Sequence, residues 1–160
     1  MRARAFAALA AAGALAATGC GKSGGDSAKR DYARKADAIC AKGNKAVQPY
    51  EKQLATLTGQ AGANRFFRDA PGVIRKASTE TSRYIDQLAA LERPAGDAQA
   101  LGAWIADVRK QVRLLGQTAD AIEAKDAQRA QALTHDANAL DKKNNAFARS
   151  YGMKTCSKSA

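Results

Sequence analysis

The stretch LGAWIADVRKQVRLLGQTADAI, residues 101–122, carries the clearest structural signal in this 160-residue chain. Its apolar side chains recur at intervals of three and four residues, at Leu101, Trp104, Val108, Val112, Leu115, Ala119 and Ile122. This spacing averages 3.5 residues, the period of a helix that packs against partner helices in a left-handed bundle. The stretch therefore predicts a long amphipathic helix and not a strand.

The same periodicity extends through the rest of the chain from Asp31 onward. Turn-forming residues interrupt it at 58–62, 93–97 and 125–126. These breaks leave four helical segments, which we place at about residues 31–57, 64–91, 97–124 and 126–150. Because long helices joined by short loops pack as antiparallel neighbours, we predict an all-α fold, an up-down-up-down four-helix bundle.

Two prolines fall inside these segments, Pro49 in the first and Pro71 in the second. Proline lacks the amide hydrogen that a helix needs and crowds the preceding turn, so each should kink its helix or split off a short turn. In an antiparallel pair both prolines lie toward the first loop. We expect that end of the bundle to be the less regular one.

The N-terminus has the pattern of an export signal. Arg2 and Arg4 precede an uncharged run over residues 5–17 that is rich in Ala and Leu. As a helix this run would be about 20 Å long, which is short of the roughly 30 Å hydrocarbon core of a bilayer. We therefore predict a cleaved signal peptide at residues 1–19 and no permanent span.

The end of this signal resembles the bacterial lipobox, in which small residues precede a cysteine that accepts diacylglycerol. Here Gly19 precedes Cys20, and Ala17 stands where the lipobox prefers Leu. We predict that Cys20 carries lipid as the first mature residue and that residues 20–30, rich in Gly and Ser, form a flexible tether. The alternative is an ordinary secretory signal, which would leave Cys20 unmodified and the protein secreted.

Charge and location narrow the choice of partners. After removal of the signal the chain would carry 24 basic and 15 acidic residues, a net charge of +9. The basic residues are scattered and no groove-reading motif is present, so we expect no nucleic-acid partner. We expect contact with the membrane through the lipid, and with an envelope protein or an anionic wall polymer at the outer face of the cytoplasmic membrane.

Cysteine usage agrees with export. Lipid on Cys20 leaves Cys40 and Cys156 as an even pair outside the cytoplasm. In the predicted topology the fourth helix ends beside the start of the first, so the C-terminal tail can bring Cys156 to Cys40. We predict one disulfide that joins the first helix to this tail; the alternative is two free buried thiols.

Candidates for chemistry are few. His135 is the sole histidine, and the sequence has no paired cysteines of the zinc-site type, no haem-attachment motif and no serine elbow. We therefore predict no enzyme activity, no cofactor and no metal site.

Asn144 occupies an otherwise apolar position, where it would fix helix register, be exposed, or make a polar contact inside a cavity. We expect Trp104 to pack in the core, with a ligand pocket as the alternative.

The two ends of the predicted bundle suggest a family. The segment Ala36-Asp37-Ala38-Ile39-Cys40 and the closing Tyr151-Gly152-Met153-Lys154-Thr155-Cys156 resemble small Ala-rich lipoproteins and secreted proteins of high-GC actinobacteria. In that family such segments open the first helix and close the chain. The resemblance implies a Cys40–Cys156 bridge, and it supplies no defined activity and no catalytic residues.

These observations lead to one expected function and one alternative. We expect a membrane-anchored extracytoplasmic lipoprotein whose bundle, residues 31–156 with a tail at 157–160, is a non-enzymatic binding or interaction module at the cell envelope. The alternative is a small-molecule or metal carrier that uses a cavity in the bundle. A carrier requires several inward polar residues at one level, and of these the sequence indicates only Asn144.

Overall fold

Four helices form the described chain. The computed structural model describes residues 23–59 and 62–158 and contains α1 (Ser23–Gly59), α2 (Ala63–Ala89), α3 (Ala98–Glu123) and α4 (Ala127–Tyr151), with a 3₁₀ turn at Ala95–Asp97. The helices pack in chain order as the predicted up-down-up-down four-helix bundle, which confirms the all-α fold class. The predicted signal peptide, Cys20 and the first residues of the tether lie outside the described residues.

Helix α1 begins eight residues earlier than the boundary predicted at residue 31. Residues 23–30 of the predicted tether are helical, so the tether assignment is corrected for this part of the chain. Asp26 lies in the first turn, where a carboxylate complements the positive end of the helix dipole. The Lys29 ammonium lies 4.7 Å from the centre of the Tyr151 ring at the end of α4. This tertiary contact stabilises a helical start that the Gly- and Ser-rich composition did not predict.

The two prolines do not divide their helices. Helix α1 continues through Pro49 and α2 continues through Pro71, so neither residue splits off a separate turn. Pro71 is buried. Its ring therefore packs against the bundle.

Helix α4 begins and ends one residue later than the segment 126–150 that the sequence predicts. Asp126 is the N-cap, and its carboxylate accepts a hydrogen bond from the backbone N–H of Arg129 at 2.9 Å. Gly152 ends the helix with a left-handed φ of 96°, a conformation that favours glycine. The next backbone N–H, that of Met153, donates to the Ala148 carbonyl at 2.8 Å. The chain thus turns back sharply toward α1.

The main hydrophobic core lies at the end of the bundle where α1 begins and α4 ends. Tyr32 and Tyr151 meet there edge to face, with ring centres 5.8 Å apart. Met153 and Leu101 are fully buried beside them, and burial of such a side chain is worth about 2–3 kcal/mol. The remaining members of the cluster are Ala33, Ala36, Ile85, Leu88, Trp104, Ile105 and Ala148.

The predicted disulfide is present at this same end. Cys40 of α1 and Cys156 of the tail are bonded, with their Cα atoms 5.2 Å apart. One turn before Cys40, the Asp37 carboxylate accepts hydrogen bonds from the backbone N–H groups of Lys154 (2.9 Å), Thr155 (2.7 Å) and Cys156 (3.1 Å). The tail is therefore held to α1 by one covalent bond and three hydrogen bonds to a single carboxylate.

Candidate functional site

Helices α1 and α4 have little direct contact with each other. Helix α1 packs on α2, α2 on α3 and α3 on α4, whereas α1 and α4 contact each other at few points. A pocket of about 280 Å³ lies between them and is lined by residues of all four helices and of the tail. That volume is equivalent to roughly nine water molecules and stands at the small end of ligand pockets.

The lining of this pocket is mostly apolar. The Cys40–Cys156 disulfide closes one end, and the apolar side chains are Val47, Tyr84, Ile85, Leu88, Trp104, Val108, Val112 and Leu115. Leu115 is 37% exposed and is the only large apolar side chain exposed in the part of the chain that the structure describes. A hydrocarbon group placed in the pocket would cover it.

Gly43 sets the distance between α1 and α2 at this level. A Cβ atom at this position would lie 3.2 Å from Cγ of Tyr84, closer than ordinary van der Waals contact. The absence of a side chain therefore lets the Tyr84 ring pack directly on α1. This brings the next residue, Asn44, to the edge of the pocket.

A network of polar side chains forms the α3 and α4 wall. Asn144 Nδ2 donates to Gln111 Oε1 at 3.0 Å, and Gln111 Nε2 donates to Asp141 Oδ1 at 3.1 Å. Asn145 Nδ2 donates to Asp141 Oδ2 at 2.9 Å. Because Asp141, Asn144 and Asn145 are spaced by three and four residues, they share one face of α4. Asn144 is only 5% exposed, so its hydrogen bond is a buried one.

The α1 wall carries two further polar groups. Asn44 and Glu51 line the pocket together with Val47, and their spacing places all three on one face of α1. Among the described residues, no basic side chain forms an ion pair with Glu51. The one basic side chain in the lining is Lys158 of the tail.

Trp104, which also lines the pocket, contributes an unsatisfied polar group. It is 5% exposed, and its Nε1–H has no hydrogen-bond partner within residues 23–59 and 62–158. A buried donor without a partner costs about 1–3 kcal/mol. Its ring stacks on Phe147, with ring centres 5.9 Å apart. The expectation of core packing for Trp104 is thus confirmed, and the residue also lines the pocket.

Three of the other residues that the sequence singled out line the pocket, and His135 does not. Cys40 and Cys156 form part of the lining, and Asn144 takes the cavity contact that the sequence left as one of three alternatives. His135 lies away from the pocket; its side chain is 84% exposed and faces Asp136. Lipidation of Cys20 stays a prediction, because that residue lies outside the described ones.

Several polar lining residues were not singled out by the sequence. They include Asn44, Glu51, Gln111 and Asp141. Gln111 had a detectable signal, because it follows Val108 by three residues and precedes Val112, at the border of the apolar stripe. The other three have no such signal, since they stand beside apolar positions as exposed polar residues commonly do.

The described ranges contain neither a candidate metal site nor a helix that could span a membrane. Within 23–59 and 62–158, no group of three or more His, Cys, Asp or Glu side chains is arranged to hold a metal ion. No helix in those ranges is both long enough and apolar enough to cross a bilayer.

Comparison with known proteins identifies no relative. No protein-family model, curated protein or solved structure matches this chain. The resemblance to actinobacterial lipoproteins accordingly stays a prediction.

Proposed function

We propose that this protein is a lipid-anchored extracytoplasmic binding module that holds a small organic molecule between α1 and α4 and performs no catalysis. The observation that carries the proposal is the pocket of about 280 Å³, with mostly apolar walls and a polar network on one side. Pockets that bind small molecules have this composition, a hydrophobic lining with a few placed polar groups. A carrier requires several inward polar residues, and this pocket has Asn44, Gln111 and Asn144 in its lining.

The sequence of the N-terminus supports the anchor in this proposal. Lipid on Cys20 would attach the chain three residues before α1 begins at Ser23. A helix rises 1.5 Å per residue, so Asn44 lies about 32 Å along α1 from that point. The pocket would then stand clear of the lipid headgroups and remain open to molecules in the extracytoplasmic space.

The lining groups support binding more than catalysis. The two cysteines in the described lining are joined in the disulfide, and no histidine is among the lining residues. The Asp141 carboxylate is held by the side-chain amides of Gln111 and Asn145. A carboxylate fixed in this way suits recognition of a ligand, because its acceptor atoms are already oriented.

Native mass spectrometry tests the pocket part of the proposal. The full chain is produced in a lipoprotein-processing bacterium and analysed for molecules that copurify with it. The Asn44→Phe variant fills the pocket from α1, and Gln48→Phe adds the same ring at an exposed position on the same helix. We expect a small molecule on the wild type and on Gln48→Phe and none on Asn44→Phe, with Asn44→Leu as a smaller substitution if the Phe variant does not fold.

Two results would overturn this function. One is a protein or a wall polymer bound at one equivalent with no small molecule in the wild-type preparation. The other is equal retention of the molecule by Asn44→Phe. The anchor is tested separately by the mass of the N-terminal peptide, which should be a diacylglyceryl Cys20; an unmodified terminus at another residue refutes lipidation.

A further inference from the structure

We infer that the side of the bundle formed by α1, α4 and the C-terminal tail is a docking surface for a linear anionic polymer of the cell envelope. The inference goes beyond the proposed function, because it concerns the outside of the bundle and not the pocket. It rests on the proposed lipid anchor only where it separates a polymer from the membrane. Three observations carry it: an uneven distribution of charge, basic side chains without acidic partners, and a groove that four of them line.

The net charge of the bundle is concentrated on two of its four helices. Helix α1, helix α4 and the tail as far as residue 158 contain 13 basic and 6 acidic residues, a net charge of +7. Helices α2 and α3 contain 8 basic and 6 acidic residues, a net charge of +2. Because α1, α4 and the tail also line one pocket, they belong to one side of the bundle, which we call the basic side. An anionic chain is attracted to this side more strongly than to α2 and α3.

Most basic residues of the basic side have no acidic partner. Of the 8 basic residues of α2 and α3, five form ion pairs: Arg65, Arg68, Arg75, Arg83 and Arg109. Of the 13 on the basic side, only three do so among the described residues: Arg34, Lys35 and Lys143. The charges of the others are therefore available to an anion from outside the chain.

A groove of about 410 Å³ lies where the start of α1 meets the end of α4. The charged side chains that line it are Lys29, Arg30, Arg34, Lys154, Asp26 and Asp37. The Asp37 carboxylate already accepts three backbone hydrogen bonds from the tail, and Arg34 is paired with Asp31. Lys29, Arg30 and Lys154 form no ion pair within 23–59 and 62–158, so an anionic group that enters the groove meets an excess of positive charge.

The basic residues continue from the groove along the bundle. Lys45 and Lys52 follow Arg34 by 11 and 18 residues, close to three and five helical turns, so all three lie on one face of α1. At 1.5 Å per residue, this row is about 27 Å long. Lys142 and Arg149 are separated by two turns and form a similar row on α4. Exposed cations in rows of this length suit a chain that carries its negative charges at intervals.

The direction of α1 favours a polymer over the bilayer as the partner. Lipid on Cys20 would place Ser23, the first residue of α1, at the membrane surface. Lys52 then lies about 44 Å along the helix from that surface. The attraction of a charged surface is largely screened beyond about 8–10 Å at physiological ionic strength. Anionic headgroups therefore do not reach the far end of the row, whereas a polymer in the extracytoplasmic space does.

A short inorganic polyphosphate is the probe, with dextran as an uncharged chain for comparison. The protein is the chain without its predicted signal, residues 20–160 with Cys20→Ser, which contains every described helix and the disulfide. Fluorescence anisotropy of end-labelled polymer measures the Kd. We expect polyphosphate to bind and dextran not to bind. Raising the salt from about 50 to 200 mM should weaken polyphosphate binding by about tenfold or more, because counterions released from the polymer drive such association.

Two triple variants remove equal charge from different sides of the bundle. The first combines Arg30→Gln, Lys142→Gln and Lys154→Gln on the basic side, and the second combines Lys76→Gln, Lys110→Gln and Arg113→Gln on α2 and α3. All six side chains are exposed, and none forms an ion pair in the described chain. We expect the first variant to bind polyphosphate about tenfold more weakly or worse, and the second to lose less than about twofold.

Circular dichroism shows whether the variants keep their helices. If a triple variant has lost them, the single variants Arg30→Gln and Arg113→Gln repeat the comparison. Absence of polyphosphate binding overturns the inference. Equal losses on the two sides also overturn it, because the binding would then depend on net charge alone.

Vesicles of phosphatidylglycerol separate a polymer from a membrane surface. Binding to these vesicles at least as tight as to polyphosphate, at equal phosphate concentration, would assign the basic side to the membrane and overturn the polymer. We expect the vesicles to bind more weakly. None of these results alters the native mass spectrometry of Asn44→Phe and Gln48→Phe, so the proposed function is decided separately.

Discussion

Asn144 Nδ2 donates a hydrogen bond to Gln111 Oε1 at 3.0 Å and thereby joins α4 to α3 in the wall of the pocket. Asn144 is buried at a position where its helix otherwise presents apolar side chains. Gln111 in turn donates a hydrogen bond to Asp141. The buried amide of Asn144 therefore helps to hold the side chains of both Gln111 and Asp141 in place. The same contact thus connects the packing of two helices with the chemistry of the site.

Replacement of Asn144 should destabilise the bundle. Asn144→Ala leaves Gln111 Oε1 without its donor and removes volume from a buried position, so we expect the free energy of unfolding to fall by about 1–3 kcal/mol. Urea denaturation followed by circular dichroism measures the change. Asn138→Ala, the same substitution at an exposed position of α4, should alter it by less than about 0.5 kcal/mol. Equal losses in the two variants would contradict a structural role for the network.

Replacement of Asp37 should loosen the C-terminal tail. Asp37→Ala removes the acceptor of three backbone hydrogen bonds, and the disulfide then holds the tail alone. We expect amide hydrogen exchange at residues 154–156 to accelerate by roughly tenfold or more, because each hydrogen bond to a charged group contributes about 1.5–3 kcal/mol. Asp31→Ala is the matched control, since Asp31 bonds Arg34 and Lys35 on the surface of α1. Unchanged exchange in Asp37→Ala would show that the disulfide suffices.

Removal of the disulfide should have the largest effect on stability. The bond joins residues separated by 116 positions, and in the chain-entropy account a loop of that length contributes about 5 kcal/mol, by a mechanism that is disputed. The Cys40→Ala, Cys156→Ala double variant should lose most of that amount in urea denaturation. A Cys20→Ser background prevents a third thiol from pairing. Reduction of the parent protein should reproduce the loss, whereas the double variant should not respond to a reductant.

Alkaline pH should destabilise the core end of the bundle through Tyr151. Burial, and then the hydrogen bond to Asp97 Oδ2 at 2.7 Å, raise the pKa of Tyr151 well above its usual value of 10.0. The folded state therefore favours the neutral phenol, so this stability is present below about pH 10 and is lost as the pH rises further. Unfolding free energies measured from pH 8 to 11 should fall less steeply in Tyr151→Phe than in the wild type. A slope unchanged in Tyr151→Phe would contradict this origin.

Local patterns predicted the elements of the fold closely. Helix α4 lies within one residue of its predicted bounds, because the cap at Asp126 and the left-handed turn at Gly152 each depend on one or two residues. The start of α1 was misplaced for the opposite reason. Residues 23–30 have weak helix propensity, and a distant ring, that of Tyr151, lies against Lys29.

The pocket could be predicted only in part. Asn144 was conspicuous because a polar residue stands where an apolar one is expected, and the cavity was one of its three interpretations. Glu51 and Asn44 were not conspicuous, because a polar residue beside an apolar stripe is normally solvated. Their role depends on how far α4 stands from α1, and no spacing within α1 encodes that distance.

The sequence by itself determined four helices, their antiparallel order and the pairing of Cys40 with Cys156, because periodicity, turn residues and short loops act locally and leave few topologies. The tertiary structure alone decided that α1 and α4 have little direct contact and that Glu51 and Asp141 line one pocket. The distance between two helices results from the packing of side chains on all four helices at once, so it is a property of the assembled bundle and of no single segment.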